Sequence, residues 1–314
     1  MRLQKIYFSR FLIKNYNKIP NGILSFTQFL INITRKYRAN LIVVLLCLLS
    51  AAISRVLSSF FLKLIINEVS INAADGRVFL LCTILLLAIS ISEIFKKNAN
   101  NILLKKLPHI RETAILEAFQ YLQNHSYAYF ATYLAGSIAS KIKDLAKGIG
   151  YSISIIFEGI IFQAFIIIIA CMILFYIHPV FSLVLIAWVT ILMIMIFKRS
   201  QKSYKLSINF SRFQAVCIGK VVDSLSNILL VKSFVQEEYE KNYIRTTLEK
   251  LVHLEEKFIE VQSITKWLQG IMCIFLVFVM LVILLYLWSK KLVTSGDFAL
   301  VLFLSLNISQ GLLF

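Results

Sequence analysis

The sequence predicts an all-α membrane protein with six transmembrane helices and two long helical extensions on the cytoplasmic side. Three observations support this fold class. The chain of 314 residues is 59% hydrophobic, whereas soluble domains contain about 45–50% apolar residues. Its apolar residues are concentrated in runs long enough to cross ~30 Å of hydrocarbon as a helix. The connections between these runs alternate between very short and very long.

Six apolar runs are predicted to span the membrane as helices, because a segment in lipid must bond its own backbone groups. They lie at about 40–67, 77–95, 151–177, 180–197, 265–289 and 297–314. The last run is still apolar at Phe314, and we expect the natural chain to continue beyond it. Residues 40–314 are therefore assigned to a membrane domain, and residues 1–39 to a basic N-terminal tail.

Charge predicts the orientation of these spans. The two long connections, 96–150 and 198–264, hold eight and eleven Lys/Arg residues, and the tail holds eight with no acidic residue. Because basic segments are retained on the cytoplasmic side, the N-terminus and both long connections are predicted to be cytoplasmic. The protein itself is predicted to lie in the inner (plasma) membrane. Asn72 is then expected outside and Ser203 in the cytoplasm.

The net charge of +17 raises the alternative of a nucleic-acid partner. A basic tail beside a membrane span usually serves retention and attraction to anionic lipid, so we predict the lipid bilayer as its partner and no nucleic acid. A mitochondrial presequence is also basic and poor in acids, and charge alone does not distinguish it.

The end of the tail is predicted to form an interfacial elbow helix. The segment LSFTQFLINITRKYRAN combines Phe26, Phe29, Leu30 and Ile33 with a basic end, a composition that suits a helix in the headgroup plane. The alternative is a leader turn that runs directly into the first span.

Each long connection is predicted to be a pair of helices that leaves the membrane and returns. In the second connection Ile244, Leu248, Leu251, Phe258 and Val261 recur at spacings that place them on one helix face. Half of that connection, at 1.5 Å per residue, gives an arm of roughly 45–50 Å.

The tip of this arm is unexpectedly apolar. The stretch SNILLVKSFVQEEYE, residues 226–240, lies far from any span and is only half polar. A short helix of this composition can place an apolar face in a groove of another protein. The alternative is a hairpin tip that covers its own apolar side chains.

This stretch resembles the second cytoplasmic loop of ABC exporters, in which a short transverse coupling helix lies beside the pattern "I..VKSF..E..E". The matching residues are Ile228, Val231, Lys232, Ser233, Phe234, Glu237 and Glu240. The first long connection contains YFATYLAGSIASKIKD, which is similar to the family's "FF/FY … G.I.S+I..D", although Asp144 falls one residue early. The segment LVTSGDFALVLFL is similar to the "lT.Gd" that opens the family's sixth helix.

The resemblance implies a homodimeric permease that couples to a nucleotide-binding domain carrying ATP and Mg. It assigns the coupling contacts to Tyr129, Phe130, Ala131, Thr132, Ile228, Val231, Lys232, Ser233, Phe234 and Glu237. The implied substrate is an unidentified lipid, peptide or drug-like molecule, moved by alternating access.

This chain itself carries no recognisable catalytic, metal or cofactor site. A Walker A loop reads GxxxxGK[ST], and the single Gly-Lys pair, Gly219-Lys220, has Gln214 in place of the first glycine and Val221 in place of Ser or Thr. The five cysteines include no CxxC pair, and the four histidines are scattered. The nucleotide-binding domain is therefore expected downstream or on a separate chain.

Charges inside the predicted spans provide the remaining candidate site. Arg55 and Glu158 are predicted to face a substrate pathway, because an ionisable residue at membrane depth is functional by default. Lys63 is expected to extend its amine outward, and residues 294–297 form a capping-box pattern that starts the sixth span. Two alternatives remain open: a proton-driven transporter of similar fold that uses Glu158, and a truncated product that only assembles with a membrane complex.

Overall fold

A computed structural model describes residues 22–71, 75–132 and 135–312, and these form helices joined by short turns. The helices are α1 (Gly22–Thr34), α2 (Arg38–Ser70), α3 (Asp75–Gln123), α4 (Tyr127–Thr132), α5 (Ala135–Ser154), α6 (Phe162–Ile177), α7 (Pro179–Ser226), α8 (Ile228–Ser233), α9 (Glu237–Ser289) and α10 (Ser295–Leu312). A 3₁₀ turn, Arg35–Tyr37, joins α1 to α2, and a π-helical segment, Ile155–Ile161, joins α5 to α6. The predicted all-α class is confirmed for the described residues.

The predicted spans lie on these helices. Five helical stretches of the described chain are long and apolar enough to cross a membrane: Gln28–Ser70, Gly76–Gln123, Ile138–Ile177, Pro179–Ser226 and Glu237–Ser289. The sixth predicted span lies in α10, where the apolar stretch Ser295–Ser309 is shorter. Each of the two long connections is a pair of helices that continues directly from the spans, as predicted.

One compact unit comprises the described residues within 1–58 and 82–166. In its described part, the small residues Ala51 and Ala52 of α2 and Ala99 of α3 are almost fully buried. The buried Ser92 hydroxyl donates to the Ala51 carbonyl oxygen at 2.9 Å. Small residues and interhelical hydrogen bonds of this kind hold helices together in lipid, where apolar burial gives little driving force.

The second compact unit comprises the described residues within 59–81 and 167–314. Its described part is built on the antiparallel pair α7 and α9. The Trp188 indole donates to the Met272 carbonyl oxygen at 2.8 Å, and further along the pair Phe210 stacks on Phe258 with 6.1 Å between ring centroids. α10 adds Leu300 and Leu304 to the same core, and both are almost fully buried.

The face of α9 that packs on α7 differs from the predicted one. Phe258 and Val261 lie on it as expected, but Leu248 is 43% exposed and Thr247 is buried instead. The threonine tolerates burial because its hydroxyl accepts from Lys220 Nζ at 2.9 Å and donates to the Tyr243 carbonyl oxygen at 3.2 Å. Apolar periodicity therefore misses a buried, hydrogen-bonded polar residue on this helix.

The start of α10 is the capping box that the sequence predicts. The Thr294 amide donates to Asp297 Oδ2 at 2.9 Å, and the Asp297 amide donates back to the Thr294 hydroxyl at 3.2 Å. The expectation for Lys63 was wrong. Instead of extending outward, its amine lies 2.5 Å from Asp297 Oδ1, and the two side chains are only 16% and 9% exposed.

Asn67 and Gly296 complete this contact between α2 and α10. The Gly296 amide donates to Asn67 Oδ1 at 2.8 Å. A Cβ at position 296 would collide with the Lys63 carbonyl oxygen and the Asn67 side chain. Glycine is therefore required here by close backbone approach, and the four residues of this cluster (Lys63, Asn67, Gly296 and Asp297) fix the start of the last helix.

Candidate functional site

The tip of the second arm is a separate short helix set between two long ones. α7 ends at Ser226, and Asn227 caps it by donating from its side-chain amide to the Asp223 carbonyl oxygen at 2.9 Å. α8 then runs for six residues before the chain enters α9 at Glu237. The Leu230 and Val231 amides both donate to the Asn227 carbonyl oxygen, at 2.9 and 3.2 Å, so Asn227 joins the two helices.

The return from α8 into α9 has a defined backbone geometry. The Gln236 amide donates to the Val231 carbonyl oxygen at 2.9 Å, and the Val235 amide donates to that of Lys232 at 3.2 Å. This pair of bonds is a Schellman motif, which needs a left-handed residue that is usually glycine. Val235 fills that position with φ of 53°, at a cost of about 1–2 kcal/mol for a residue with a side chain.

Apolar side chains of the tip point into solvent. Leu229 is 79% exposed, Leu230 58%, Phe234 69% and Val235 79%. The short helix has too little structure around it to cover them, so the tip does not bury its own apolar groups. Contiguous exposed apolar groups on a folded element usually mark an interaction surface.

Charged residues border this apolar surface. Lys232 lies in the last turn of α8, and Glu237, Glu238 and Glu240 lie in the first turn of α9. The acids suit a helix N-terminus, where they meet unpaired amides and the positive end of the helix dipole. Lys241 Nζ pairs with Glu238 Oε1 at 3.1 Å in an exposed position.

The tip of the first arm is α4, which is held by a row of aromatic contacts. His125 lies 4.8 Å from Tyr121 and 4.5 Å from Tyr129 between ring centroids, and Tyr129 meets Phe130 edge to face at 5.5 Å. Tyr127 at the start of α4 is 88% exposed and Phe130 is 42% exposed. The side chains of Ala131 and Thr132 lie outside the described residues, although the backbone of both is in α4.

Within the second arm, the sequence-predicted residues occupy one short element and its flanks. Ile228, Val231, Lys232 and Ser233 lie in α8, Phe234 follows it, and Glu237 begins α9. Leu229, Leu230 and Val235 are not part of the family pattern, and they are more exposed than Ile228. The run of consecutive apolar residues from 228 to 231 was the available signal, because a six-residue helix cannot bury all of its faces.

Arg55 and Glu158, the two residues predicted to face a substrate pathway, lie in different local environments. Arg55 Nη1 lies 3.7 Å from Glu93 Oε1, in a partly exposed ion pair, so two charges predicted at membrane depth compensate one another. Glu158 lies in the π-helical segment and is half-buried. There the Phe162 amide reaches the Phe157 carbonyl oxygen, five residues back, and such π-bulges are frequent at functional sites.

Comparison with known proteins agrees with this architecture. A family model described as the ABC transporter transmembrane region matches residues 41–310. A solved structure of a bacterial Atm1-family ABC exporter with ATP bound superposes with a TM-score of 0.76 at 16% sequence identity, covering 88% of this chain and 49% of that chain. A comparison with curated protein sequences gives no match.

This chain thus spans about half the length of that exporter chain, and at 16% identity the likeness shows a shared fold. The family model covers most of the 314 residues, including the spans, both arms and their tips. The chain belongs to the ABC transporter transmembrane family and has the fold of an exporter membrane domain.

Proposed function

We propose that this chain is the permease part of an ATP-driven exporter, and that its arm tips dock on nucleotide-binding domains. The observation that carries the proposal is α8, a six-residue helix between two helices of 48 and 53 residues. It presents two exposed leucine side chains, and the exposed Phe234 directly follows it. Exposed apolar side chains are unfavourable in water, and burial in a groove of a partner protein removes them from water.

The size of the docking contribution can be estimated from exposure. Leu229, Leu230 and Phe234 are each more than half exposed, and full burial of such a side chain contributes about 1.5–3 kcal/mol. Covering the three exposed portions therefore contributes roughly 3–6 kcal/mol to docking. Tyr127 and Phe130 on α4 provide a second, aromatic contact in the first arm, at the position assigned to Tyr129, Phe130, Ala131 and Thr132.

In this proposal ATP and Mg are held by the nucleotide-binding domain, on a downstream segment or a separate chain. This chain contributes no group to hydrolysis. Its part is to transmit the closure of that domain through the tips to the spans, which alternate between inward- and outward-facing arrangements. Arg55 and Glu158 are proposed to face the pathway of an unidentified lipid, peptide or drug-like substrate.

The proposal includes a second copy of the chain, in a two-fold homodimer. Along α9, Ile244, Leu248 and Val252 line an open groove of about 650 Å³ together with the charged Lys241, Arg245 and Glu249. Leu248 and Val252 are exposed, and a second copy would cover them. Cross-linking in membranes should give a species of twice the chain mass, and its absence across protein concentrations would argue against the dimer.

The basic arms and tail support a cytoplasmic N-terminus in the inner (plasma) membrane, with both tips in the cytoplasm, where ATP is available. A proton-driven transporter is the second candidate, favoured by the position of Glu158 in the π-helical segment. If the chain is a proton-driven transporter, Glu158→Gln should abolish transport. If it is an ATP-driven exporter whose pathway merely passes this residue, the same variant should retain ATP hydrolysis.

The test of the main proposal is ATP hydrolysis by the full transporter, purified from its native membranes through a tag on this chain and reconstituted in liposomes. Leu229→Asp and Phe234→Asp should each weaken docking by about 100-fold or more, because a carboxylate desolvated without a partner costs several kcal/mol. Val216→Asp on α7 is the matched control, since Val216 is 51% exposed but distant in sequence from the tip.

The expected result is membrane insertion of all three variants in equal amounts, with loss of substrate-stimulated hydrolysis in the two tip variants only. If the purified parent neither hydrolyses ATP nor carries a partner that does, the proposal fails. If the tip variants behave as the control does, α8 is a hairpin tip without a coupling role.

A further inference from the structure

A groove beside the first span combines cationic and apolar walls. Its volume is about 480 Å³, and it lies where α1, the 3₁₀ turn and the start of α2 meet the π-helical segment. Arg35 and Arg38 supply its charge, and Leu41, Ile42, Leu45 and Phe157 supply its apolar surface. None of the described residues that line it is acidic, and Glu158, although next to Phe157 in sequence, does not line it.

The backbone that carries the two arginines is held in place from both sides. Between them, the Tyr37 hydroxyl lies 3.1 Å from the His109 carbonyl oxygen and 3.0 Å from the Thr113 hydroxyl oxygen, both on α3. Before them, the fully buried Ile33 anchors the end of α1. The arginine side chains themselves are exposed, so the turn presents two guanidinium groups from a fixed base.

The order of these residues matches the cross-section of a lipid leaflet. Arg35 and Arg38 precede the first predicted span, at the level of the headgroups. Leu45 lies seven residues beyond Arg38, which is about 10 Å deeper along the helix. A cationic end at headgroup depth therefore continues into an apolar wall at acyl-chain depth.

We propose that this groove binds one anionic phospholipid of the leaflet on the arm side. The two guanidinium groups bind its phosphate, which they suit as planar, permanently charged donors. One acyl chain lies along Leu41, Ile42, Leu45 and Phe157. The site is distinct from the diffuse attraction between the basic tail and an anionic surface, because it requires these two arginines and the apolar wall together.

The test measures lipid binding to the full chain in detergent, by native mass spectrometry during titration with phosphatidylglycerol or phosphatidylcholine. Phosphatidylglycerol should bind more tightly by at least tenfold. Each arginine near an anionic phosphate contributes about fivefold, so Arg35→Gln combined with Arg38→Gln should weaken phosphatidylglycerol binding by roughly 30-fold. Lys36→Gln removes a neighbouring exposed charge that does not line the groove, and it should change binding by less than twofold.

Two further measurements distinguish the possible occupants. Leu45→Trp fills the apolar wall, and it should weaken phosphatidylglycerol binding by at least fivefold while the arginines are intact. Inorganic phosphate, added at constant ionic strength, should not displace the lipid.

Three results would each overturn the proposal. If Lys36→Gln weakens binding as much as a single arginine substitution, the attraction is diffuse. If Leu45→Trp has no effect, or if inorganic phosphate displaces the lipid, the groove is only an anion site. None of these measurements depends on ATP hydrolysis or transport, so the lipid site stands or falls independently of the proposed function.

Discussion

Removing the negative charge of Asp297 should destabilise the protein more than removing any exposed acid. Asp297→Asn keeps an oxygen that can accept from the Thr294 amide, so the cap of α10 persists. It leaves the Lys63 amine without its counter-charge at a side-chain exposure of 16%. Breaking a buried pair by removing one partner costs about 3–5 kcal/mol, and at roughly 2–4 °C per kcal/mol the unfolding midpoint should fall by about 6–20 °C.

The assay is thermal unfolding of the purified full chain in a mild detergent, followed by tryptophan fluorescence. Glu93→Gln provides the matched control, because it makes the same carboxylate-to-amide change in an ion pair whose side chains are 32% and 50% exposed. An exposed pair contributes about 0–1 kcal/mol. The unfolding midpoint of Glu93→Gln should therefore move by no more than about 4 °C.

A double-mutant cycle separates the ion pair from local packing. Lys63→Met alone leaves Asp297 charged and partly desolvated, whereas Lys63→Met with Asp297→Asn leaves no unpaired charge. The double variant should therefore be more stable than Asp297→Asn alone, with a coupling of roughly 0.5–3 kcal/mol. If the effects of the two substitutions simply add, or if Asp297→Asn is as mild as Glu93→Gln, this contact does not anchor α10.

Three further predictions concern the arms and the topology. Val235→Gly relieves the left-handed backbone at some entropic cost, so hydrogen exchange at the Gln236 amide should stay equal or slow by up to about fivefold, and faster exchange would contradict the Schellman geometry. Burial raises the pKa of the Glu117 carboxyl above its ordinary value. The native state therefore loses stability as pH rises from the pKa of this group in the unfolded chain to its pKa in the folded chain. Glu117→Gln should leave the unfolding midpoint unchanged near pH 4 and raise it near pH 8. In a cysteine-free background on intact cells, an impermeant maleimide should label Asn72→Cys, which lies outside the described residues, and not Ser203→Cys, and the reverse pattern would invert the topology.

Hydropathy predicted most of the architecture because an apolar run in lipid must form a helix. The spans, the two arms and the interruption at SNILLVKSF all follow from composition along the chain. The helix face of the second arm was predicted only in part, since Leu248 is exposed and Thr247 is buried. From apolar periodicity, leucine is expected to be buried in preference to threonine. Here Thr247 is the buried residue because its hydroxyl bonds to Lys220, a contact that the sequence does not show.

Contacts between distant residues were beyond sequence reasoning. Lys63 and Asp297 are far apart in the sequence, so no local sequence pattern predicts that they form an ion pair. The π-helical segment is equally hidden, because one extra residue in a turn leaves the apolar run 151–177 unchanged in composition. At the tip, the family pattern contains Ile228 and Phe234 but not Leu229, whose exposure follows from the shortness of α8.

The length of α9 has a mechanical consequence. Its 53 residues form one unbroken helix without proline, about 80 Å from end to end. Such a rod is stiff over its own length, so rotation about the membrane end is amplified geometrically rather than absorbed by bending. A tilt of about 5° displaces the far end by roughly 7 Å, given the 1.5 Å rise per residue. A shift of about 3 Å where the predicted span leaves the membrane, roughly 37 Å from the pivot, therefore becomes a movement of about 7 Å at the far end.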